Sequence, residues 1–502
     1  MATNKVILNG TTLIDLSEDN VTAEDVALGV TFHLPNGKLA TGTSSGGGAG
    51  GVTGGYNVIF QSDGDTYAVT SVKAGQSVTA PARIPQKEGY GFLGWYTEAA
   101  GGSKATFPFT PVRNTTFYAR FQSVSVLGVS GLASSSTTLA WTNDAADVAT
   151  WELGEDLTGE FSVMTNSLDD VFPFNQISEF TDDSGNVFVK FPKFWLKWVL
   201  NTDGIIDGYK IAQAQVDDEY FIPDAFLNPK SLNDNSVEKY LDYFALGKYE
   251  ATQGSSSADV AESTSKMYSK SGRACYVNLT RATARNVARA YGTAANWYNG
   301  YQQLDFAQLV AYNLLAMLYT GRQSIQTVWG GRTGKGFVTS WSAASVTGTT
   351  DNCTALSCCN KNTDCVKLLG IENPYGNIHK WVDGVYFSGV SIYAHRYPQQ
   401  FADSSTYGSL LEFTRATSSS YIYAMKPGTS ADTQSYVYAS GGSGTENTYY
   451  GDYTYYSSSG TVLYAGGYWN SGANAGLWYL DGSDESSSSR SNIGARLSYR
   501  PL

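Results

Sequence analysis

The C-terminal stretch of the chain, from about Tyr421 to Leu502, most constrains what this sequence can fold into. Tyrosine, serine, glycine, asparagine and aspartate dominate it, and few cations interrupt them. Tyrosine supplies large amphipathic contact area at low entropic cost, while serine, glycine and asparagine supply adaptable hydrogen bonding, so this composition is typical of binding loops. Two islands, 465–469 and 491–497, combine glycine with apolar residues that favour burial. We expect these islands to form strands that hold the loops in place.

The composition of the whole chain favours short strands and turns. Its 502 residues suffice for two to four domains, and 53 glycines and 35 tyrosines stand against only 13 prolines. A net charge of −12 argues against nucleic acid or an anionic membrane as partner, because both bind through clusters of lysine and arginine. No apolar run has the length of a membrane span, and the N-terminus does not resemble a signal peptide. We therefore expect no membrane insertion, and synthesis in a cytoplasm.

Four of the five cysteines crowd one loop, at Cys353, Cys358, Cys359 and Cys365. Zinc binding is one interpretation, but C-x4-C-C-x5-C is not a usual ligand spacing and no histidine lies beside it. Free thiols or one local disulfide are the alternative that we favour, since nothing in the sequence indicates secretion.

The remaining polar residues give no catalytic pattern. His379 and His395 are isolated in aromatic surroundings, which favours structural roles. The acidic residues of the C-terminal stretch lack the 1,3,5-type spacing of a calcium loop, and no two carboxylates stand out as a glycosidase pair. We therefore predict no catalytic residue, no metal and no cofactor; the acidic residues considered are Asp452, Asp481, Asp484 and Glu485.

The chain falls into four consecutive parts. The first alternates apolar and polar residues in two pieces, Lys5–Leu8 and Thr12–Leu16, and is too short to form its own core. A flexible Gly/Ser linker, a strand-patterned region and a large C-terminal region follow it. The predicted boundaries are 1–43, 44–55, 56–122 and 124–502.

Within the large region, the pattern predicts strands and two helices. Residues 185–195 alternate as in a half-buried strand. One helix begins after the N-cap Thr280 and ends at Gly292; the other begins after Asp305 and ends at Gly321. Leu309, Leu314 and Leu318 give this second helix an apolar stripe. Few helices among many strands predict a multidomain α+β fold.

Two N-terminal parts resemble known modules. Residues 1–43 resemble a small N-terminal module of phage tail proteins. Residues 56–122 resemble a single Listeria–Bacteroides repeat, a small β-grasp-like module, through Gly89–Tyr90, Gly94–Tyr96 and Phe117–Ala119. Such modules are usually spacers or weakly adhesive units.

Four motifs in the large region resemble the C-type-lectin-like fold in its formylglycine-generating-enzyme branch. They are 247–252 (GKYEAT), 376–384 (GNIHKWVDG), 466–469 (GGYW) and 491–496 (SNIGAR). The enzymes of that branch use two cysteines in their C-terminal part, but no cysteine follows Cys365 here, so the resemblance implies the fold without the oxidase activity.

Within this branch the chain most resembles variable proteins of diversity-generating retroelements, such as the major tropism determinant of a phage tail. The resemblance implies a variable region at about 464–497 that is displayed on a constant scaffold. It implies ligand contacts at Tyr464, Tyr468, Asn470, Ser471, Ala473, Asn474, Tyr479, Asp481 and Ser483. The implied scaffold residues are Gly376, Asn377, Trp381, Gly466, Gly467, Trp469, Trp478, Gly494 and Arg496.

Together these resemblances imply a receptor-binding protein of a phage tail fibre or tail tip. Residues 1–43 would attach it to other tail proteins in the virion, and the C-terminal surface would bind a protein or glycan on a bacterium. Tail fibres are commonly trimers, so we expect a homotrimer without enzymatic activity. The alternatives are a bacterial surface adhesin and, less favoured, a polysaccharide-degrading enzyme.

Overall fold

The computed structural model describes residues 55–255, 262–292 and 299–501, together with four strands nearer the N-terminus. The chain divides into two compact units: Met1–Val124 with Ala214–Asp218, and Ser125–Gln213 with Glu219–Leu502. Strand makes up 35% of the structure and helix 12%. The strand-rich, multi-sheet character is confirmed, and the expected α+β class is corrected to mostly β.

The N-terminal part contributes two antiparallel strand pairs. β1 (Lys5–Leu8) pairs with β2 (Thr11–Asp15), and β3 (Thr31–His33) pairs with β4 (Leu39–Thr41). The two alternating pieces of the sequence therefore form strands, the second displaced by one residue from 12–16 to Thr11–Asp15. The predicted linker lies outside the described residues, apart from Gly55.

The first unit also contains a four-stranded sheet formed by β5 (Gly55–Ser62), β6 (Asp65–Lys73), β7 (Tyr90–Tyr96) and β8 (Thr115–Ser123). The order of its strands is β6-β5-β8-β7. β5 and β6 form a hairpin across Asp63 and Gly64, whose φ angles of 50° and 93° suit a two-residue turn. β5 runs parallel to β8, and alternation along the strands buries Phe60 against Trp95 with ring centres 4.8 Å apart.

The second unit is built from many short strands. Its first half contains β9 (Val126–Ser130), β10 (Ala140–Asn143), β11 (Trp151–Glu155), β12 (Phe161–Asn166), β13 (Ser178–Thr181), β14 (Val187–Pro192), β15 (Trp195–Leu200), β16 (Ile206–Ala212), β17 (Tyr243–Gly247), β18 (Thr252–Gln253), β19 (Met267–Tyr268) and β20 (Tyr301–Gln303). Its second half contains β21 (Cys358–Asn360), β22 (Val366–Leu368), β23 (Ile371–Glu372), β24 (His379–Val382), β25 (Val385–Ser388), β26 (Ser391–Ala394), β27 (Ser409–Leu410), β28 (Ser420–Pro427), β29 (Val437–Gly442), β30 (Tyr453–Tyr456), β31 (Leu463–Ala465), β32 (Leu480–Gly482), β33 (Ile493–Gly494) and β34 (Leu497–Tyr499).

These strands form several sheets. The largest has seven strands in the order β29-β28-β30-β32-β31-β24-β33. Two five-stranded sheets have the orders β11-β12-β21-β22-β23 and β13-β14-β17-β34-β20, and a four-stranded sheet has the order β10-β9-β16-β15. Smaller sheets are β25-β26-β27 and β18-β19. Many neighbours are distant in the chain, so the register could not be deduced from local patterns.

Three α-helices lie among the described residues: α1 (Asp144–Val148), α2 (Arg281–Arg289) and α3 (Phe306–Thr320). The two predicted helices are confirmed. Thr280 caps α2, which ends before Gly292, and Asp305 forms a capping box with Gln308 at the start of α3. Gly321 ends α3 in the left-handed conformation, with φ 60°. The short helix α1 was not predicted.

The helix α3 is the centre of the core of the second unit. All its residues are buried, whereas the sequence predicted only an apolar stripe. Its polar side chains are accommodated because they donate to carbonyls of the surrounding chain: Tyr312 Oη to Leu368 O at 2.8 Å, and Asn313 Nδ2 to Leu477 O at 2.8 Å. Asn313 thereby fixes the backbone next to Trp478.

Candidate ligand-binding surface

The seven-stranded sheet carries aromatic residues on adjacent strands. Tyr464 of β31 lies opposite Trp381 of β24 and opposite Asp481 of β32, and Asp481 lies opposite Tyr455 of β30. Residues directly opposite one another on neighbouring strands share a face of the sheet. One face therefore bears Trp381, Tyr464, Asp481 and Tyr455 across four strands.

Half-buried aromatic residues on and beside this face form what we call the tyrosine surface: Tyr421, Tyr453, Tyr455, Tyr468 and Trp469. Ring centres are 5.0 Å apart for Tyr421 and Tyr453, 4.7 Å for Tyr453 and Tyr455, and 5.2 Å for Tyr468 and Trp469. Two buried rings join these groups, because Tyr479 contacts Tyr455 at 5.6 Å and His379 contacts both Tyr479 and Tyr468. The rings therefore form one continuous array.

His379 is a packing residue of this array. Its ring lies 4.5 Å from Tyr464, 4.9 Å from Tyr468 and 5.2 Å from Tyr479. Burial lowers the pKa of His379 well below its ordinary value, and the charges of Lys380 and Arg490 lower this pKa further. The imidazole is therefore neutral near pH 7, as suits a ring buried among aromatic neighbours.

A buried carboxylate, Asp481, ties the array to the sheet. It accepts hydrogen bonds from the backbone N–H and hydroxyl of Ser483, at 3.0 and 2.6 Å, and from Tyr479 Oη at 3.2 Å. Burial raises the pKa of Asp481, while hydrogen bonds from Ser483 and Tyr464 act against that increase. The hydroxyls of Tyr464 and Tyr479 are thus used internally.

The predicted contact residues separate into two groups. Tyr464, Tyr479 and Asp481 are only 3–4% exposed, so they do not offer the direct contact surface implied by the resemblance. Tyr464 and Tyr479 pack on the buried His379 ring, Tyr464 also packs on Trp381, and Asp481 accepts a hydrogen bond from Tyr479. Asn470 is exposed, and Tyr468, Ser471, Ala473, Asn474 and Ser483 are half-buried.

Four residues of the tyrosine surface were not among the predicted contacts: Tyr421, Tyr453, Tyr455 and Trp469. The alternation of Tyr453 and Tyr455 on β30 was the available signal, because residues two apart in a strand share a face. Asn474 joins the two regions, since its Nδ2 donates to Tyr455 Oη at 2.9 Å. The accessible surface therefore combines β28, β30 and the loop after β31.

The predicted scaffold glycines lie where backbones approach closely. Gly376 has φ 71°, and its N–H donates to Gly466 O at 2.9 Å. A Cβ at Gly376 would lie 2.7 Å from the Arg332 carbonyl oxygen. At Gly467, with φ 77°, a Cβ would lie 2.6 Å from Ala475 Cβ, and at Gly494 one would lie 2.5 Å from the Tyr276 carbonyl oxygen.

Buried charges join three of the four lectin-like motifs. Arg496 donates from Nη1 to the carbonyls of Gly247 and Lys248, and from Nη2 to those of Glu372 and Asn373, at 2.7–3.0 Å. Glu250 and Lys380 form an ion pair of 2.9 Å in which both side chains are at most 2% exposed. Asn377 Nδ2 also donates to Glu250. Pairing and hydrogen bonding offset part of the desolvation cost of burying these charges, so loss of any one partner leaves the others uncompensated.

The three scaffold tryptophans have different environments. Trp381 Nε1 donates to Leu279 O at 2.7 Å. The backbone N–H of Trp478 donates to Asp452 Oδ2 at 2.7 Å. Both indoles are buried, whereas Trp469 is half-buried beside Tyr468. Trp469, which the resemblance implies is a scaffold residue, is therefore part of the accessible surface.

One part of the chain matches a known family. Residues 56–120 match the Listeria-Bacteroides repeat domain. This match confirms the single repeat predicted at 56–122, and the repeat domain contains the four-stranded sheet of the first unit. Across the described ranges, no helix is long and apolar enough to cross a membrane.

The cysteine cluster contains one disulfide, between Cys353 and Cys358. Cys359 and Cys365 are buried free thiols, and burial raises the pKa of both. Within the ranges that the structure describes, no three histidine, cysteine or acidic side chains gather as a metal site. The cluster therefore holds one local disulfide and two free thiols, the two states that the favoured alternative named.

Proposed function

We propose that this chain is a receptor-binding protein of a phage tail fibre or tail tip, and that the tyrosine surface binds a ligand on a bacterial cell. The proposal rests above all on the half-buried rings of the tyrosine surface, which the buried rings of Tyr479 and His379 join into one array. Tyrosine and tryptophan supply large contact areas while few rotatable bonds are immobilised on binding. Contiguous aromatic surface with polar rims is the composition of recognition surfaces rather than of ordinary solvent-facing sheets.

The geometry of the surface supports rigid recognition. Most rings contact their neighbours edge to face or tilted, as in Tyr421 with Tyr453 at 81° and Tyr468 with Trp469 at 77°. Rings fixed by one another lose little freedom when a ligand binds, and this lowers the entropic cost of association. Binding would be non-covalent, with affinity supplied by contact area and by several copies on one particle.

The lectin-like resemblance also supports this function. Segments that carry its motifs are distant in sequence, yet Arg496 bonds residues Gly247 and Lys248, and Gly376 bonds Gly466. We propose that these residues are the constant scaffold of a lectin-like domain. Residues 1–43 would attach the chain to other tail proteins, and the repeat domain would be a spacer.

The proposal is tested by measuring binding of the labelled protein to a panel of bacterial strains. Tyr455→Ala and Tyr468→Ala should each weaken binding to a recognised strain by about 30-fold, the effect of removing one aromatic hot spot. Tyr386→Ala and Tyr393→Ala are matched controls, because these two tyrosines pack on each other on β25 and β26. Equal losses in both sets, or none in the first, would contradict the proposal.

We further propose that the region 464–497 is diversified. In that case the neighbouring DNA holds a near-copy of its codons beside a reverse-transcriptase gene, with differences confined to adenines. The differing codons should fall on accessible positions such as Asn470, Ser471 and Asn474 and spare the buried Tyr479 and Asp481. Absence of the copy would leave a binder of fixed specificity.

The repeat domain favours a second candidate, a bacterial surface adhesin, because such repeats also occur in surface proteins. The two candidates differ in location. Antibodies against the chain should label tail tips of purified phage particles if the first is right, and should label the surface of the producing cells if the second is right.

A further inference from the structure

A second candidate site lies in the second unit, at the end strand β11. A cavity of about 350 Å³ opens there, a size at the lower end of ligand pockets. Two indole rings, those of Trp141 and Trp151, form its apolar wall together with Leu139 and Ala149. The polar lining consists of Thr138, Thr150, Thr320 and Arg322.

The two indoles are held in place by the end of α3. Trp141 Nε1 donates to Leu318 O at 2.8 Å, and Trp151 Nε1 donates to Thr320 O at 2.7 Å. Gly321 permits this arrangement, because a Cβ there would lie 2.7 Å from the Trp141 ring. These carbonyls at the C-terminus of the helix need donors from outside it. The cavity wall is therefore preorganised by bonds that a ligand does not have to make.

An unpaired strand edge lies beside the cavity. β11 is the end strand of its sheet, and among the described residues no strand pairs with its outer edge. Trp151 and Leu153 share one face of β11, and Leu153 is 43% exposed. Val148, just before the strand, is 41% exposed. Edges with exposed aliphatic side chains are templates for an added strand.

The charged residues near this edge indicate the charge of the partner. No lysine or arginine occurs between Arg120 and Lys190, whereas Asp147 lies shortly before the exposed strand and Glu152 and Glu155 lie on it. Glu155 is paired with Lys361 at 2.6 Å, and Arg322 at the cavity rim donates to Thr138. Arg322 also lies over the Trp151 ring, 5.7 Å from its centre, so the carboxylates that favour a cationic partner at this edge are those of the exposed Asp147 and Glu152.

We propose that β11 and the Trp141–Trp151 cavity bind an extended, cationic polypeptide segment of a partner protein. The segment adds a strand to the edge of β11, places one bulky apolar side chain in the cavity, and directs lysine or arginine towards Glu152 and Asp147. Main-chain bonds along the edge provide affinity, and the cavity selects the anchoring side chain.

Selection from a displayed random peptide library against the immobilised full-length protein tests this proposal. Enriched peptides should share a bulky apolar residue with basic residues two or more positions away. The best peptide, synthesised with a fluorophore, should bind at least about ten-fold more weakly to Ala149→Leu, which fills the cavity, as measured by anisotropy. Glu152→Lys should weaken binding and reduce its dependence on salt.

Leu153→Ser is a second variant of the same edge, and it distinguishes loss of the binding site from misfolding of Ala149→Leu. It should fold normally, because this exposed position tolerates serine. Its matched control is Leu200→Ser, because Leu200 is also an exposed strand leucine, at 41%. Loss with Leu153→Ser and retention with Leu200→Ser supports the proposal. Failure to enrich such peptides overturns it, as does equal binding by the wild type, Ala149→Leu and Leu153→Ser.

Discussion

Replacement of Arg496 by methionine tests whether the buried charge cluster holds the scaffold together. Arg496 is 2% exposed, and its four hydrogen bonds of 2.7–3.0 Å go to backbone carbonyls of two separate segments. Methionine retains an apolar stem but donates no hydrogen bond. Each buried carbonyl left without a donor costs about 1–3 kcal/mol, and these costs are not additive.

The charge of Arg496 adds to this cost. Attraction by the Glu250 and Glu372 carboxylates opposes the burial that lowers the pKa of Arg496, so the arginine in turn stabilises those groups. Removing one member of a buried charge cluster typically costs about 3–5 kcal/mol, and we expect a loss of about 4 kcal/mol in the free energy of unfolding.

Urea unfolding followed by tryptophan fluorescence measures this loss. The assay reports the second unit, because every tryptophan except Trp95 falls within 125–213 or 219–502. Arg490→Met is the matched control: the Arg490 side chain is 53% exposed and pairs with Asp484 at 2.6 Å. Exposed pairs contribute about 0–1 kcal/mol. A loss for Arg496→Met below about 1 kcal/mol, or no larger than the control, would refute the reasoning.

Three further predictions concern other buried groups. Arg285→Ala removes two bonds of 2.7 Å to the buried Asp383 carboxylate, so thermal unfolding should show a loss of about 3–5 kcal/mol, only partly restored by lysine. Burial raises the pKa of Glu372 from 4.5 to about 6, so the folded protein retains a proton that the unfolded chain releases. The free energy of unfolding should therefore fall by about 2 kcal/mol as pH rises through that interval, and Glu372→Gln, compared in urea titrations at each pH, should lack this decrease. Tyr479→Ala should cost about 3–5 kcal/mol because its ring is buried, whereas Asn470→Ala should change stability by less than about 0.5 kcal/mol. Equal costs in paired urea titrations would contradict the burial of Tyr479.

Local signals in the sequence were sufficient for the helices. Thr280, Asp305 and Gly321 act within one turn of the residues that they cap, so their effect does not depend on distant parts of the chain. The hairpin of β5 and β6 is local for the same reason, because Asp63 and Gly64 supply the required positive φ angles. The repeat domain, which is short and self-contained, was recognised from its own residues.

Burial in the C-terminal stretch depended on distant pairings that no local pattern encodes. Tyr464 and Tyr468 look alike in sequence, but β31 lies between β24 and β32 and turns Tyr464 inward. The parallel pairing of β30 with β32 likewise brings Tyr455 beside Asp481. Composition therefore predicted a binding stretch, while the register determined which of its tyrosines are accessible. The complete burial of α3 was missed for a similar reason, because its polar residues bond to carbonyls far away in sequence.

The backbone of the loop after β31 is fixed by groups other than the side chains that it displays. The N–H of Trp469 donates to Asn377 O at 3.1 Å, and the N–H of Gly472 donates to Thr333 O at 2.8 Å. Gln326 Nε2 donates to Gly472 O at 3.2 Å and also to Ala475 O. Because these bonds use the main chain of the loop, a change at Asn470 or Ala473 leaves them intact. The loop can therefore vary its chemistry without changing its path, which is what a diversified recognition surface requires.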